Sequence, residues 1–591
     1  MTATDFDSPA GSSAPTGDAP AGISRAEMAV AGLVVAWLVV ASPQFVTLYW
    51  APKVAIALIA VGPGLVALGL AARGGDGAAR AGIAFLVIAA LATALSPSPL
   101  LSLVGPYNDG NGLLFLAVVL GAWALGRRST ARGRDVLVGA ILVAAVVNTV
   151  MVWLQMSSAF SGDLFERVDG RGVGLLGNPV HTTGFLVGAA ALAAELWPTA
   201  ADAHVATGRL DARSRAWLVL MAIAGFASAV QLAGGRIGLV LLVLVAVRTV
   251  VRVGPRRAGA VVAMLVLGVV IATVALPTDT GAADRLATSG QSSLGGRVDR
   301  WRLAVPAVAE RPVLGIGPGL YRRATSPHNT PAAARAYGAD SLNQDAHNLF
   351  VQTLVTTGIL GLVALLAWLV LAAVGARGPL LWFAIIGGAS LLVQPPFIGV
   401  TPVLALALGA AASRPARPFG RAALTIAISV AVVGALVGGL LLRGDHLVQI
   451  AGAEFDVTAA REAPRALPVW AEPYLVLSRV ESYEAITTRR PARWKSAIAA
   501  ARAAVRRDPS DPGSWIVYGS LELNHGSRRR AEAAFREARR WNPYSTAALG
   551  LLAGLAESRG DHARAAALCA TARAGRPPRA KLVCPTGLRT R

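Results

Sequence analysis

Apolar residues run in long blocks along this chain, separated by short polar punctuation. About thirteen blocks begin near residues 28, 54, 81, 112, 136, 179, 215, 236, 258, 348, 379, 398 and 421. Ala258 to Leu276 is representative, nineteen residues without a charge. That is about the length an α-helix needs to cross a hydrocarbon core of roughly 30 Å. A helix is the expected form, because lipid offers no partner to a free backbone N–H or C=O. The pattern predicts an all-α polytopic membrane domain over residues 27–442 with about 12–13 transmembrane helices. Residues 1–26 open with a stretch rich in Ala, Ser, Pro, Gly and Asp and lack the basic start of a signal peptide. They read as a disordered cytoplasmic tail.

One long polar interruption breaks the membrane pattern, the loop 277–346. It runs into Asp345-Ala-His-Asn-Leu-Phe, which places His347 and Asn348 at the start of the apolar block that carries Gly358 and Gly361. An ionisable imidazole at a membrane boundary points to chemistry at the lipid–water interface.

Composition agrees with a membrane protein: 54% of residues are hydrophobic and 15% charged, against about 25% charged in soluble proteins. The net charge of +22 would suit nucleic acid, but the arginines gather in short loops between the blocks. Groups at Arg73/Arg80, Arg127–Arg134, Arg209–Arg215, Arg248–Arg257 and Arg414–Arg421 alternate with arginine-poor turns at 97–111 and 394–399. That is the distribution expected of cytoplasmic loops, and nucleic-acid binding is a poor explanation. The alternation puts the amino terminus inside and the 277–346 loop outside, and an odd helix count puts the carboxyl terminus outside. The pair of short blocks around Gln394-Pro395-Pro396 is compatible with a re-entrant hairpin.

Past Leu442 the apolar blocks stop and a 34-residue period appears. It relates Pro509, Pro543 and Pro577, and also Ala497, Ala531 and Ala565. Residues 443–591 therefore read as a soluble α-helical extracytoplasmic tail, with repeats over about 478–577. Trp515, Gly519, Ala531, Phe535, Ala538 and Pro543 give it a resemblance to the tetratricopeptide repeat. That resemblance implies either a plain array of hairpins or a docking surface for a protein or polymer partner. The only two cysteines, Cys569 and Cys584, lie in this tail. An exported tail permits a bridge between them, while the inward repeat position of Cys569 suits a buried thiol.

Polar residues expected on the outer face form four groups. They are Arg171-Gly-Val-Gly-Leu-Leu-Gly-Asn-Pro-Val-His, Gly234-Gly-Arg-Ile-Gly, Arg297-Val-Asp-Arg-Trp-Arg with Gly315-Ile-Gly-Pro-Gly-Leu-Tyr321, and His347-Asn348. Over residues 28–440 these motifs resemble the O-antigen ligase and polymerase superfamily. The resemblance implies a metal-independent, cofactor-free membrane glycosyltransferase at the bacterial cytoplasmic membrane. Its donor would be an undecaprenyl-diphosphate-linked glycan, and its acceptor a glycan, lipid or protein. It also implies catalytic roles for His347, Arg236 and Arg171, and substrate contacts from Asn348, Arg297, Arg300, Tyr321 and Asn178. The chemistry fits: guanidinium groups offer bidentate donors to a diphosphate leaving group. An imidazole, with an ordinary pKa near 6.5, suits general-base work.

Each residue also has a bland reading. Arg236 could be a snorkelling helix-end arginine, Arg171 an ordinary ion pair with a nearby acid, and Asn178 a cap for the helix begun by Pro179. His181 reads as an internal structural residue, and Arg302 as either loop surface or phosphate contact. A polysaccharide polymerase, a lipid-linked sugar transporter and a membrane scaffold are the rival functions. The nearly charge-free block centres disfavour the transporter.

Overall fold

A computed structural model describes residues 25–157, 159–201, 211–276, 280–287, 292–414 and 418–576. The first membrane helices are α1 (Arg25–Val39), α2 (Ala51–Arg73) and α3 (Gly77–Ala94). After the short α4 (Pro99–Val104) come α5 (Leu113–Gly126), α6 (Ala131–Ser157), α7 (Pro179–Ala201), α8 (Ala212–Leu232) and α9 (Arg236–Ala275). The long loop holds α10 (Ala282–Ala287), α11 (Ser292–Glu310), α12 (Tyr321–Thr325) and α13 (Pro331–Tyr337). Then follow α14 (Leu349–Ala373), α15 (Pro379–Ala389), α16 (Thr401–Ala411) and α17 (Arg421–Glu454). No strand occurs among the described residues, only an isolated bridge between Val168 and Arg171. The fold is all-α and polytopic, as the apolar blocks require.

The membrane helices differ in length. Among the described residues, eight helices are long and apolar enough to cross a membrane, and four apolar helices of the same domain are shorter. Leu113–Gly126, at 14 residues, spans about 21 Å at 1.5 Å per residue, which is short of the hydrocarbon core. The blocks that begin near 236 and 258 are joined as α9 across a break at Gly254, φ 77° and ψ 162°. Pro255 follows, lacking an N–H to continue the ladder. The two halves then fold back on each other, with Leu239, Leu242 and Ala246 facing Leu265, Val266 and Val269 across a shared groove.

Small residues set the packing. Gly64 of α2 lies against Gly121 of α5, and Gly409 of α16 against the Trp123 carbonyl. A methyl group at any of these would collide with backbone, so the glycines allow the close approach that membrane helix pairs exploit. Two buried clusters result. One joins α1 with α6–α9, α15 and α16, and the other joins α2, α3, α5, α14 and α17.

The Gln394-Pro395-Pro396 region is a hairpin. The N–H of Arg377 just before α15 donates to the Ala411 carbonyl at the end of α16, 3.0 Å away, so both ends emerge together. Helix α17 continues unbroken through residues 442 and 443 to Glu454, so the expected boundary between membrane domain and tail falls inside one helix. Beyond it, α18 (Val457–Ala466) leads into three helical hairpins. These are α19 (Glu472–Thr487) with α20 (Ala492–Arg507), α21 (Pro512–His525) with α22 (Arg528–Trp541), and α23 (Thr546–Glu557) with α24 (His562–Ala574).

Ala531, Phe535 and Ala538 are fully buried, and Gly519 leaves room for the Phe535 ring. Cys569 is buried and disulfide-bonded. Residues 1–24, Pro577 and Cys584 lie outside the described residues.

Candidate functional site at the loop face

The site is assembled where the long loop meets the helix ends. The turn Gly234-Gly235 positions Arg236 at the first residue of α9. Gly234 has φ +65°, and any side chain there would strike the Arg171 side chain. A side chain at Gly235 or Gly238 would strike Thr183 of α7. Only glycines let the start of α9 sit this close, so the motif brings Arg171 and Arg236 into one corner.

Arg171 comes from a loop that membrane polar groups hold in place. Gln155 Oε1 accepts from the N–H groups of Val173 (2.8 Å) and Gly174 (2.9 Å), and Asn148 Oδ1 accepts from Leu175 N–H (2.9 Å). Lys53, buried in the first turn of α2, donates its Nζ to the carbonyls of Val40 and Leu175. These three side chains sit in apolar blocks and were not read from the sequence as part of the site. A polar residue inside a membrane helix was the signal available.

The loop supplies further cations. Arg285 donates to the Gly234 carbonyl at 3.0 Å. Burial, then the charges of Arg171 and Arg236, hold its guanidinium below the ordinary value. Arg297 is lowered too, by burial first and then by Arg300 and Arg236. Mutual repulsion of this kind means that Arg171, Arg236, Arg285, Arg297 and Arg300 share one field. Arg171 pairs with the exposed Asp169 at 2.8 Å, the bland partner the sequence suggested. Arg300 lies over the Tyr337 ring, 4.9 Å from its centroid. Among the described residues, the buried Nε and Nη1 of Arg236 and the buried Nε of Arg300 have no hydrogen-bond partner. Buried guanidinium N–H groups are rarely left unmatched, and here they lie where several cations converge.

His347 stands at the edge of this field. Its neighbour Asp345, nearly buried, accepts from the His347 backbone N–H at 2.6 Å and bonds Nδ1 of the ring. This grip holds His347 at φ +49°, a backbone conformation costly for a residue with a Cβ. Burial alone would raise the Asp345 carboxyl, but the hydrogen bond and charge of His347 outweigh it and hold it below the ordinary range. An ionised Asp345 accepts from Nδ1–H, so the lone pair of the neutral ring sits on Nε2. Helix α11 links the two halves: Trp301 Nε1 donates to the Ala346 carbonyl at 3.0 Å, one residue from Arg300. Tyr321, fully buried, donates its hydroxyl to the Arg300 carbonyl at 3.2 Å.

Other sequence candidates have structural partners. Asn348 caps α14, accepting from Phe350 N–H (2.9 Å) and Val351 N–H (3.0 Å), while its amide donates to the Leu392 carbonyl of the hairpin tip (2.9 Å). Asn178 accepts from Val180 N–H at 2.9 Å at the start of α7. His181 is buried and stacks on Phe397 at 4.5 Å. Arg302 pairs with Asp299 at 3.2 Å and is largely exposed.

The glycine-rich run 312–319 does more than turn. Helix α14 is broken at Gly358 (φ 67°), and residues 312–317 fill the break. Ile316 N–H donates to the Val355 carbonyl (3.1 Å) and Gly317 N–H to Thr356 (2.9 Å), while Ile359 N–H donates to Pro312 (2.9 Å). The ladder lost at the break is replaced bond for bond, the condition for irregular backbone at membrane depth.

Residues 210–366 match the O-antigen ligase family. The matched stretch spans α8, α9, the loop and the first part of α14. It contains Arg236, Arg285, Arg297, Arg300, Tyr321, His347 and Asn348, and it leaves out Arg171, Asn178 and the tail. An O-antigen ligase domain supports a glycan-transferring membrane enzyme as the general function. Comparison with curated proteins gives no match.

Proposed function

We propose that this protein transfers a glycan from an undecaprenyl-diphosphate carrier to an acceptor hydroxyl at the outer face of the bacterial cytoplasmic membrane. The observation that carries this reading is the group of converging arginines, with unmatched N–H groups on Arg236 and Arg300, beside the Asp345–His347 pair. The acceptor hydroxyl oxygen attacks the anomeric carbon as the bond to the carrier diphosphate breaks. His347 Nε2 takes the hydroxyl proton, and Asp345 holds the ring and stabilises the imidazolium that forms. Negative charge grows on the leaving diphosphate, where Arg171, Arg236, Arg285, Arg297 and Arg300 stabilise it. An apolar cavity of about 140 Å³ adjoins the site, lined by Phe85, Phe115, Leu349, Trp368, Leu391 and Leu404. Its lining suits a hydrocarbon segment of the carrier better than a sugar.

The test is release of undecaprenyl diphosphate by the purified protein given lipid-linked glycan and envelope extract. Release should depend on the extract, and His347→Ala should lower it by about 10²–10⁴-fold, the usual worth of a general base. Release without any acceptor would favour the polymerase. A folded protein that releases nothing from several donor glycans would sink the reading and favour the transporter.

A further inference from the structure

The partner that the three-hairpin tail fits is already present: it is the loop that carries the site. Arg322 forms a buried ion pair with Asp508, and a second contact at 3.6 Å with Asp511, in the turn between α20 and α21. Burial works against the Arg322 charge, but Asp508, Asp511 and Glu472 outweigh it and hold the guanidinium above its ordinary value. Arg323 reaches in two directions, donating to Ser98 of the membrane domain at 2.7 Å and lying 5.4 Å from the Trp541 ring.

The next contacts read helix ends. Asp340 accepts from Thr546 N–H (2.9 Å) and Ser545 Oγ (2.9 Å) and bonds Thr546 Oγ1, placing a carboxylate on the N-terminus of α23. Arg335 donates to the carbonyl of Ala574, the last residue of α24. Both placements match the sign of the helix dipole. Asn542 adds a bond to the Ala339 carbonyl at 2.8 Å.

These anchors flank the reacting groups. Tyr321 holds Arg300 on one side of α12, while its neighbour Arg322 holds the tail on the other. Asp340 is anchored five residues before Asp345. We propose that the tail is a positioning part of the transfer site, bracing α12 and the 339–345 segment so that Arg300 and His347 keep their places. This inference rests on the function proposed above. The groove between α19 and α21, lined by Leu475, Val476, Arg479, Ile516 and Val517, stays clear of these anchors.

The experiment uses the full chain with Arg322→Ala and Asp340→Ala combined, and Asp340→Asn as the conservative control. Two readouts are taken: steady-state transfer, and amide exchange across residues 339–348. The double variant should exchange faster in that segment and lose about 10–100-fold in kcat, the cost of a displaced reacting group. The donor KM should stay unchanged, and Asp340→Asn, which keeps the Oδ1 acceptor, should stay near wild type. Unchanged exchange overturns the brace. Faster exchange with unchanged kcat overturns the positioning role and leaves a purely structural contact. A wild type that transfers nothing sinks the functional reading instead, while the exchange still decides whether the tail orders the His347 segment.

Discussion

The two ends of one stretch of α9 carry the same residue type in opposite circumstances. At the far end Arg248 and Arg252 are locked to the buried Glu195, Arg248 at 3.0 Å. Arg127 is likewise locked to Asp76. At the near end Arg236 keeps Nε and Nη1 buried and unmatched, among further arginines. A cation neutralised inside the protein has a structural task. One held in place by glycines, with buried N–H groups left unmatched, is what the proposed diphosphate contact requires. Position on the helix does not separate them; the partner does.

That contrast can be broken by substitution. Arg236→Ala should lower transfer by about 10²–10³-fold, as loss of a preorganised donor does, with the unfolding midpoint unchanged. Arg236→Lys should recover only part of this, since an ammonium cannot make the bidentate contact. Glu195→Ala should do the reverse. Leaving two guanidinium groups without their buried partner should cost about 3–5 kcal/mol in unfolding, with transfer per folded molecule preserved. A large rate loss in Glu195→Ala at full stability would erase the distinction.

A smaller effect sharpens it within the loop face. Asn348→Ala removes a helix cap and should cost about 1 kcal/mol, with donor affinity unchanged. A weakened donor affinity there would make Asn348 a ligand as well as a cap.

The last test concerns pH. Burial, then the charge of Asp345, push the Asp109 carboxyl up to about 8, with Arg322 opposing. The folded chain holds a proton that the unfolded chain releases near 4, so this site costs stability progressively as pH rises from about 4 to 8. Asp109→Asn can keep the bond from Asn111 Nδ2, 2.7 Å in the parent. Its melting temperature should gain on wild type between pH 5 and pH 8; an equal difference at both would refute the buried proton.

The apolar blocks were legible because lipid permits few alternatives to a helix. Their lengths were not, since Gly254-Pro255 joins two blocks as one sharply bent helix and several blocks are shorter than a full crossing. Arg236 and His347 stood out in the sequence by residue type and place. Asp345 was in view beside His347, but its grip depends on the φ +49° backbone that brings its carboxylate to both the ring and the N–H. Arg285 joins the field only through the fold of the 280–287 segment over Gly234. The 34-residue period announced the hairpins, yet the bond from Asp340 to Thr546 joins residues 206 apart, which no local pattern encodes.

The break at Gly358 also bears on how the protein is made. Ribosomal synthesis delivers residues 312–317 before α14, and α14 cannot close its backbone without them. A nascent α14 entering the bilayer alone would carry unpaired peptide groups, which hydrocarbon penalises by several kcal/mol each. Closure of α14 around its break is therefore expected only once residues 312–317 are docked against it.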